Sequence, residues 1–300
     1  MDQTKYIWAN GKIIKWNKAS THLITHALHY GSAVFEGIRI YETETKPAIF
    51  RLKEHIDRLI YSADILNLDI GLSSDEICTE IIKLASKNKL KAGYIRPLAY
   101  FGENKMGLDP KGAPNSFMIA MWPWGKYLGK ETVDTCIVDT IRLHPKSAQM
   151  HAKVSGYYVN SIQANAEAQS KGFDEGILLD YKGNIAEGSA ENVFFVKDNK
   201  LYTPKTECIL PGITRSTIIQ IAKDNGIDVI EQDIKPDFIR EIDEAFFTGT
   251  AVEITPIAKI NETKLNSSNP NGLSIMLRNI YSNCVRGKID KYNHYLTYVS

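Results

Sequence analysis

Two stretches in the first half of the chain carry apolar residues at helical spacing. Over residues 51–66, Leu52, Ile56, Leu59, Ile60, Ala63 and Leu66 fall on one face, which predicts an amphipathic helix. A second begins at Ser73, where Glu76 three residues on completes a capping box and Ile77, Ile81, Leu84 and Ala85 turn inward. Ahead of both, Tyr6-Ile7-Trp8-Ala9 and Lys12-Ile13-Ile14 flank Asn10-Gly11. That dipeptide tolerates the positive φ of a type I′ turn, so a hairpin is expected. Strands are expected near 93–102 and 116–122.

The second half opens with an expected strand near 133–139 and a helix from about 158 to 171, stopped by Gly172. Strands at 176–181, 192–196 and 201–203 then read as a β-meander, with turns at Lys182-Gly183-Asn184 and Asp198-Asn199. Residues 214–225 predict a helix with Gly226 as its terminating glycine. Strands near 228–232 and 245–248 precede a last helix at 273–285. Between the halves, Pro123-Trp124-Gly125-Lys126-Tyr127-Leu128-Gly129-Lys130 breaks both periods. Strands and helices mix without a regular βαβ rhythm. The expected class is therefore α+β in two domains, 1–123 and 133–300, with 124–132 as linker.

Composition narrows the function more than the fold. Hydrophobic residues make up 43% and charged residues 24%, as in a soluble globular protein with a sizeable core. A net charge of +1 gives no basic face for nucleic acid or membrane. The cysteines, at 78, 136, 208 and 284, form no CxxC pair, and the seven histidines show no ligand spacing, so no metal is expected. No apolar run approaches a membrane span, and the first residues carry no signal-peptide pattern. The expected compartment is the cytoplasm.

Four segments carry candidate chemistry. Lys153 is the only lysine of Gln149-Met150-His151-Ala152-Lys153-Val154-Ser155-Gly156-Tyr157-Tyr158, which has no acid. An ammonium buried in such surroundings tends to lose its proton and become a nucleophile toward carbonyls, the usual anchor of pyridoxal phosphate. Ile185-Ala186-Glu187-Gly188-Ser189-Ala190-Glu191-Asn192 offers a carboxylate for a pyridine nitrogen. Leu210-Pro211-Gly212-Ile213-Thr214-Arg215 offers a helix N-terminus for a phosphate. Thr248-Gly249-Thr250-Ala251, after an expected strand, offers backbone N–H groups to an anion. Each alone also fits an ordinary reading: a surface lysine, a solvated loop, a capped helix, a tight turn.

Taken together and in order, the segments resemble the fold-type IV pyridoxal-phosphate enzymes, and among them the branched-chain amino acid aminotransferases. The resemblance also rests on Tyr6-Ile7-Trp8, on His26-Ala27-Leu28-His29-Tyr30-Gly31-Ser32-Ala33-Val34-Phe35-Glu36-Gly37-Ile38-Arg39, on Tyr94-Ile95-Arg96-Pro97, on Pro123-Trp124-Gly125, and on Glu253-Ile254-Thr255-Pro256. It implies the two-domain, D-amino acid aminotransferase-like architecture. It implies Lys153 as covalent anchor and base, Glu187 on the pyridine nitrogen, and Tyr158 on the phenolic oxygen with Glu191 behind it. Arg58, Leu210, Gly212, Ile213, Thr214 and Thr250 would hold the phosphate end of the cofactor.

For the substrate it implies aromatic walls from Tyr30, Phe35, Trp124 and Tyr127, with Gly37 and Arg39 in the same pocket. Tyr94 and the Thr250 and Ala251 amides would receive the α-carboxylate, and Arg96 the second carboxylate of glutamate. Tyr30 and the loop carrying Met106 and Leu108 would reach a neighbouring subunit, making a homodimer the minimal unit, alone or within a hexamer. The implied activity is exchange of the amino group between leucine, isoleucine or valine and 2-oxoglutarate. The alternatives on the same fold are a D-amino acid transaminase and an aminodeoxychorismate lyase. In the lysine segment Val154-Ser155-Gly156-Tyr157 and in the acidic segment Ala190 depart from common patterns without removing a catalytic group.

Overall fold

The computed structural model describes residues 2–125 and 129–299, so Tyr127 lies outside the described residues. The chain forms two compact units. Unit 1 comprises Met1–Gly125, Ala152–Tyr157 and Cys284–Ser300; unit 2 comprises Lys126–His151 and Tyr158–Asn283. The main crossing falls inside the expected linker. Two segments assigned from sequence to the second domain nonetheless belong to unit 1, and strand pairing explains both. Val154 bridges Val34, and the chain's last strand, Leu296–Tyr298, adds to an edge of the first sheet.

Unit 1 contains β1 (Tyr6–Ala9), β2 (Lys12–Lys15), α1 (His26–Tyr30), β3 (Ala33–Phe35), β4 (Ile38–Tyr41), β5 (Ala48–Phe50), α2 (Leu52–Ile65), α3 (Ser74–Asn88), β6 (Gly93–Phe101) and β7 (Asn115–Trp122). The β1–β2 hairpin forms as expected, with Asn10 at φ 46° and Gly11 at φ 84°. In one sheet the last strand is followed by β5, β4, β6, β7, β1 and β2, and β3 also pairs with β6. Helices α2 and α3 bury Ile56, Leu59, Ile77 and Ile81 together with Ile38, Ile49, Ile95 and Ile119 of the sheet. Each such side chain contributes about 1.5–3 kcal/mol when fully buried. The capping box predicted for α3 is present, with the Glu76 N–H donating to Ser73 Oγ and the Ser73 N–H to Glu76 Oε2.

Unit 2 contains β8 (Val133–Ile137), α4 (Tyr158–Ser170), β9 (Glu175–Leu179), β10 (Ile185–Gly188), β11 (Asn192–Lys197), β12 (Lys200–Pro204), α5 (Ile213–Asp224), β13 (Val229–Gln232), β14 (Glu244–Gly249) and β15 (Glu253–Ile260), followed by a short strand, Thr263–Lys264, and α6 (Leu273–Cys284). Its sheet runs β10, β9, β8, β15, β14, β11, β12, β13. The expected meander is therefore two hairpins, β9–β10 and β11–β12, that sit apart in the sheet. Phe194, Phe195, Phe246 and Phe247 on β11 and β14 are completely buried, so those two strands are covered on both faces. Buried Glu244 accepts the Leu273 and Ser274 N–H groups and caps α6. Among the described residues no helix is long and apolar enough to cross a membrane.

Candidate active site

In unit 1 the lysine segment meets β3 through a single β-bridge, Val154 to Val34. Ala152 and Val154 are buried in the core, while Lys153 between them is half-buried. The Phe35 N–H donates to the Lys153 carbonyl (3.2 Å), and the Lys153 N–H donates to Ser62 Oγ on α2 (2.9 Å). Gly156 donates to the Gly31 carbonyl (3.1 Å). Gly31 sits at φ +64°, and a Cβ there would meet Gly156 Cα at 2.8 Å, so both glycines serve this close approach. The chain is thus fixed on both sides of Lys153. Its Nζ lies 5.0 Å from the centre of the Phe35 ring.

The guanidinium carbon of Arg96 lies 4.7 Å from the same ring and 5.5 Å from the ring of Tyr94. Arg96 Nε is buried without a hydrogen-bond partner among the described residues. Tyr94 meets the Trp124 ring edge-on at 4.6 Å and packs on Trp122 at 5.4 Å. Gly37 belongs here because any side chain on it would collide with the Tyr94 hydroxyl. Arg39 donates from Nη1 to the Trp124 carbonyl (3.1 Å) and from Nη2 to the Gly125 carbonyl (3.0 Å), so it holds the main chain that carries Trp124.

Arg58 projects from α2 onto Glu36. Its Nε and Nη2 donate to the two carboxylate oxygens at 2.6 and 3.0 Å, and His55 Nδ1 donates to the second at 2.8 Å. Burial would push the Glu36 carboxyl up, but the adjacent Arg58 and His55 outweigh it and hold it far below the usual range. Burial pushes His55 down, against the pull of Glu36. Also in unit 1, the Gly107 N–H donates to the Tyr30 hydroxyl (3.2 Å) and His26 Nε2 donates to the Gly107 carbonyl (2.7 Å). Met106 and Leu108 beside it are exposed.

In unit 2, Glu187 lies on β10 itself rather than at a turn, 5% exposed. Arg142 Nε donates to its Oε1 (2.7 Å) and Asn192 Nδ2 to its Oε2 (3.1 Å). Asn192 Nδ2 also donates to the Leu210 carbonyl (2.9 Å), tying the acid to the loop ahead of α5. Gly212, the N-cap of α5, supplies no capping side chain, and a Cβ there would strike Asn192 Oδ1. Ile213 and Thr214 form the buried first turn. Arg142 Nη1 donates to Asn160 (3.1 Å), two residues into α4 from Tyr158. Glu191 accepts the Ala190 N–H (2.9 Å), and its carbonyl accepts the Gly188 N–H (2.7 Å). The pairing of Asn192 with Thr248 brings the Gly249-Thr250-Ala251 turn beside it. The buried Thr248 Oγ1 has no hydrogen-bond partner among the described residues.

Arg142, Asn192, Glu36, His55 and Ser62 were missed from sequence. The signal for two of them was visible: His55 and Ser62 fall within the apolar stripe of α2. The four thiols are partly or wholly buried, and burial pushes Cys78 and Cys208 up to about 11, so they are no nucleophiles at neutral pH. Among the described residues no group of three or more His, Cys, Asp or Glu could hold a metal ion.

Unit 1 thus holds a pinned lysine, and unit 2 holds a buried carboxylate kept in place by Arg142 and Asn192 and a helix N-terminus without a side-chain cap; these are the kinds of group that pyridoxal-phosphate chemistry uses. The sequence profile described as amino-transferase class IV matches residues 33–260. A branched-chain-amino-acid aminotransferase of Pseudomonas aeruginosa is 41% identical over 302 residues, covering 99% of this chain and 98% of that one. The crystal structure of the branched-chain amino acid aminotransferase of Escherichia coli superposes with a TM-score of 0.96 at 38% identity, covering 99% of this chain and 100% of that one. The T.th. branched-chain amino acid aminotransferase, complexed with N-(5′-phosphopyridoxyl)-L-glutamate, gives 0.95 at 38% identity, covering 100% of both chains.

Proposed function

The chain belongs to the amino-transferase class IV family, and on that premise we propose that it moves the amino group between L-leucine, L-isoleucine or L-valine and 2-oxoglutarate. The observation that carries this reading is Arg96. It is a cation among the rings of Phe35, Tyr94 and Trp122, with a buried donor awaiting an acceptor. Aromatic walls suit a branched aliphatic side chain, and the guanidinium suits glutamate's second carboxylate. The phosphopyridoxyl-glutamate bound to the T.th. relative supports glutamate as the common amino carrier.

Bound pyridoxal phosphate supplies the electron-withdrawing ring that makes a substrate's Cα proton acidic. The chain supplies the rest. Lys153 Nζ would anchor the cofactor and, when free, would take the substrate's Cα proton as base. Its pinned backbone limits where the amine can move. Glu187 would hold a proton on the ring nitrogen, and Arg142 and Asn192 hold Glu187. Tyr158 donates to the phenolic oxygen, with Glu191 behind it. Arg58 of unit 1 and, in unit 2, the Leu210-Pro211-Gly212 loop, the first-turn N–H groups of Ile213 and Thr214, and Thr250 would each be phosphate ligands.

From the resemblance, Tyr94 in unit 1 and the Thr250 and Ala251 amides in unit 2 are each proposed as partners of the α-carboxylate. Gly37 makes room for Tyr94, and Arg39 sets Trp124 as a wall; Tyr127 is proposed as a further wall from the resemblance alone. Exposed Leu108, on the loop fixed by Tyr30 and His26, supports a homodimer in which Tyr30, Met106 and Leu108 line the neighbour's pocket. We place the enzyme in the cytoplasm.

An amino-donor panel with 2-oxoglutarate tests the reading. L-leucine, L-isoleucine and L-valine should each yield glutamate, and D-alanine should not. Faster turnover of D-alanine than of L-leucine would assign the chain to the D-amino acid branch instead.

A further inference from the structure

The carboxylate beneath Arg58 has no place in the chemistry above, yet it is the most enclosed charge in unit 1. Glu36 is 0% exposed and accepts four donors: Arg58 Nε (2.6 Å), Arg58 Nη2 (3.0 Å), His55 Nδ1 (2.8 Å) and its neighbour's Gly37 N–H (3.2 Å). A buried ion pair is a poor way to gain stability, because desolvation opposes the attraction. A fork-to-fork pair does something else well: it fixes the plane and direction of the guanidinium. The same turn of α2 fixes the lysine segment. Ser62, four residues beyond Arg58, donates to the Arg58 carbonyl (2.7 Å) and accepts the Lys153 N–H (2.9 Å). One helical turn therefore sets both the Arg58 head group and the backbone of Lys153.

We propose that Glu36, steadied by His55, is a positioning residue for cofactor binding: it holds the Arg58 guanidinium in the orientation in which it meets the phosphate. This rests on the reading of Arg58 as a phosphate ligand. Without Glu36 the arginine would sample several rotamers, and ordering it on binding would weaken the complex. The alternative is a purely structural pair, which would support unit 1 whatever the ligand.

Affinity of the full-length apoprotein for pyridoxal phosphate and for pyridoxal, which lacks the phosphate, separates the two. Both are followed by absorbance without any turnover. Glu36→Gln should weaken pyridoxal phosphate roughly ten- to a hundredfold, the range of one charge-assisted hydrogen bond, and leave pyridoxal within about twofold. Arg58→Met should show the same selective loss, and the double variant should lose little beyond Arg58→Met alone. Equal weakening of both ligands by Glu36→Gln overturns the proposal. So does an unchanged affinity for pyridoxal phosphate in Glu36→Gln when Arg58→Met has lost it. Full retention by Arg58→Met would instead remove the phosphate role of Arg58, and the proposal with it. If Glu36→Gln yields no folded apoprotein, His55→Gln carries the same comparison: a loss confined to the phosphorylated ligand supports the proposal, and an equal loss contradicts it.

Discussion

Arg96 lies over Phe35, its guanidinium carbon 4.7 Å from the ring centre and its Nε buried without a hydrogen-bond partner among the described residues. A structural arginine at such a place would be held by a carboxylate or by carbonyls, as Arg39 and Arg215 are. An arginine that packs on rings and has its Nε unpaired among the described residues keeps that donor for a ligand. Arg96→Met should therefore cost roughly ten- to a hundredfold in the 2-oxoglutarate half-reaction, the range of a charge-assisted hydrogen bond. The leucine half-reaction should change much less. Stopped-flow measurement of each half-reaction alone checks this, and equal losses in both would make Arg96 a general support of the pocket.

Glu187 accepts from Arg142, from Asn192 and, at 3.4 Å, from the Leu210 N–H, and Asn192 also holds the Leu210 carbonyl. Glu187→Gln keeps the shape and removes the charge. The variant should retain cofactor, since Lys153 and the phosphate ligands remain. Its single-turnover conversion of leucine should fall on the order of a hundredfold or more, as when one preorganised electrostatic group is removed from an active site. Near-normal conversion would take the ring-nitrogen role away from Glu187.

Away from the site, Glu167 at the end of α4 accepts the Asp139 and Thr140 N–H groups, the Thr140 hydroxyl and the Lys171 ammonium. Burial works to raise its carboxyl, but these donors win and bring it from 4.5 down to about 2. A carboxylate depressed in the folded state binds protons more weakly than in the unfolded chain. Its stabilisation is thus complete above about 4.5 and is lost as pH falls through about 2. Wild type should melt above Glu167→Gln at neutral pH, and the gap in Tm should close as the pH is lowered across that window. A gap that stays constant down to the lowest pH would contradict the assignment.

Local signals in the sequence were reliable where local chemistry decides. The Asn10-Gly11 turn, the Ser73 capping box and the buried stripe of α3 all stand as read. Strand β15, which contains Pro256, was not expected from the sequence. The structure accommodates it: β15 meets β8 only from Ile257 onward, so the missing N–H falls outside that ladder. The splitting of the expected meander and the return of Leu296–Tyr298 to β5 are long-range pairings, which no local period encodes. The same division holds at the site. Lys153, Glu187 and Gly212 stand in recognisable segments. Arg142 reaches Glu187 from 45 residues away, and Asn192 joins Glu187 to Leu210, so only their contacts reveal them.

The account depends most on Lys153 as the residue that carries the cofactor. Borohydride reduction of the purified holoenzyme, followed by proteolysis and mass mapping, tests this directly. The reduced phosphopyridoxyl group should be found on Lys153, within the peptide that contains Val154-Ser155-Gly156-Tyr157, and Lys153→Ala should give no such peptide. Recovery of the label on any other lysine, with Lys153 unmodified, would contradict the account.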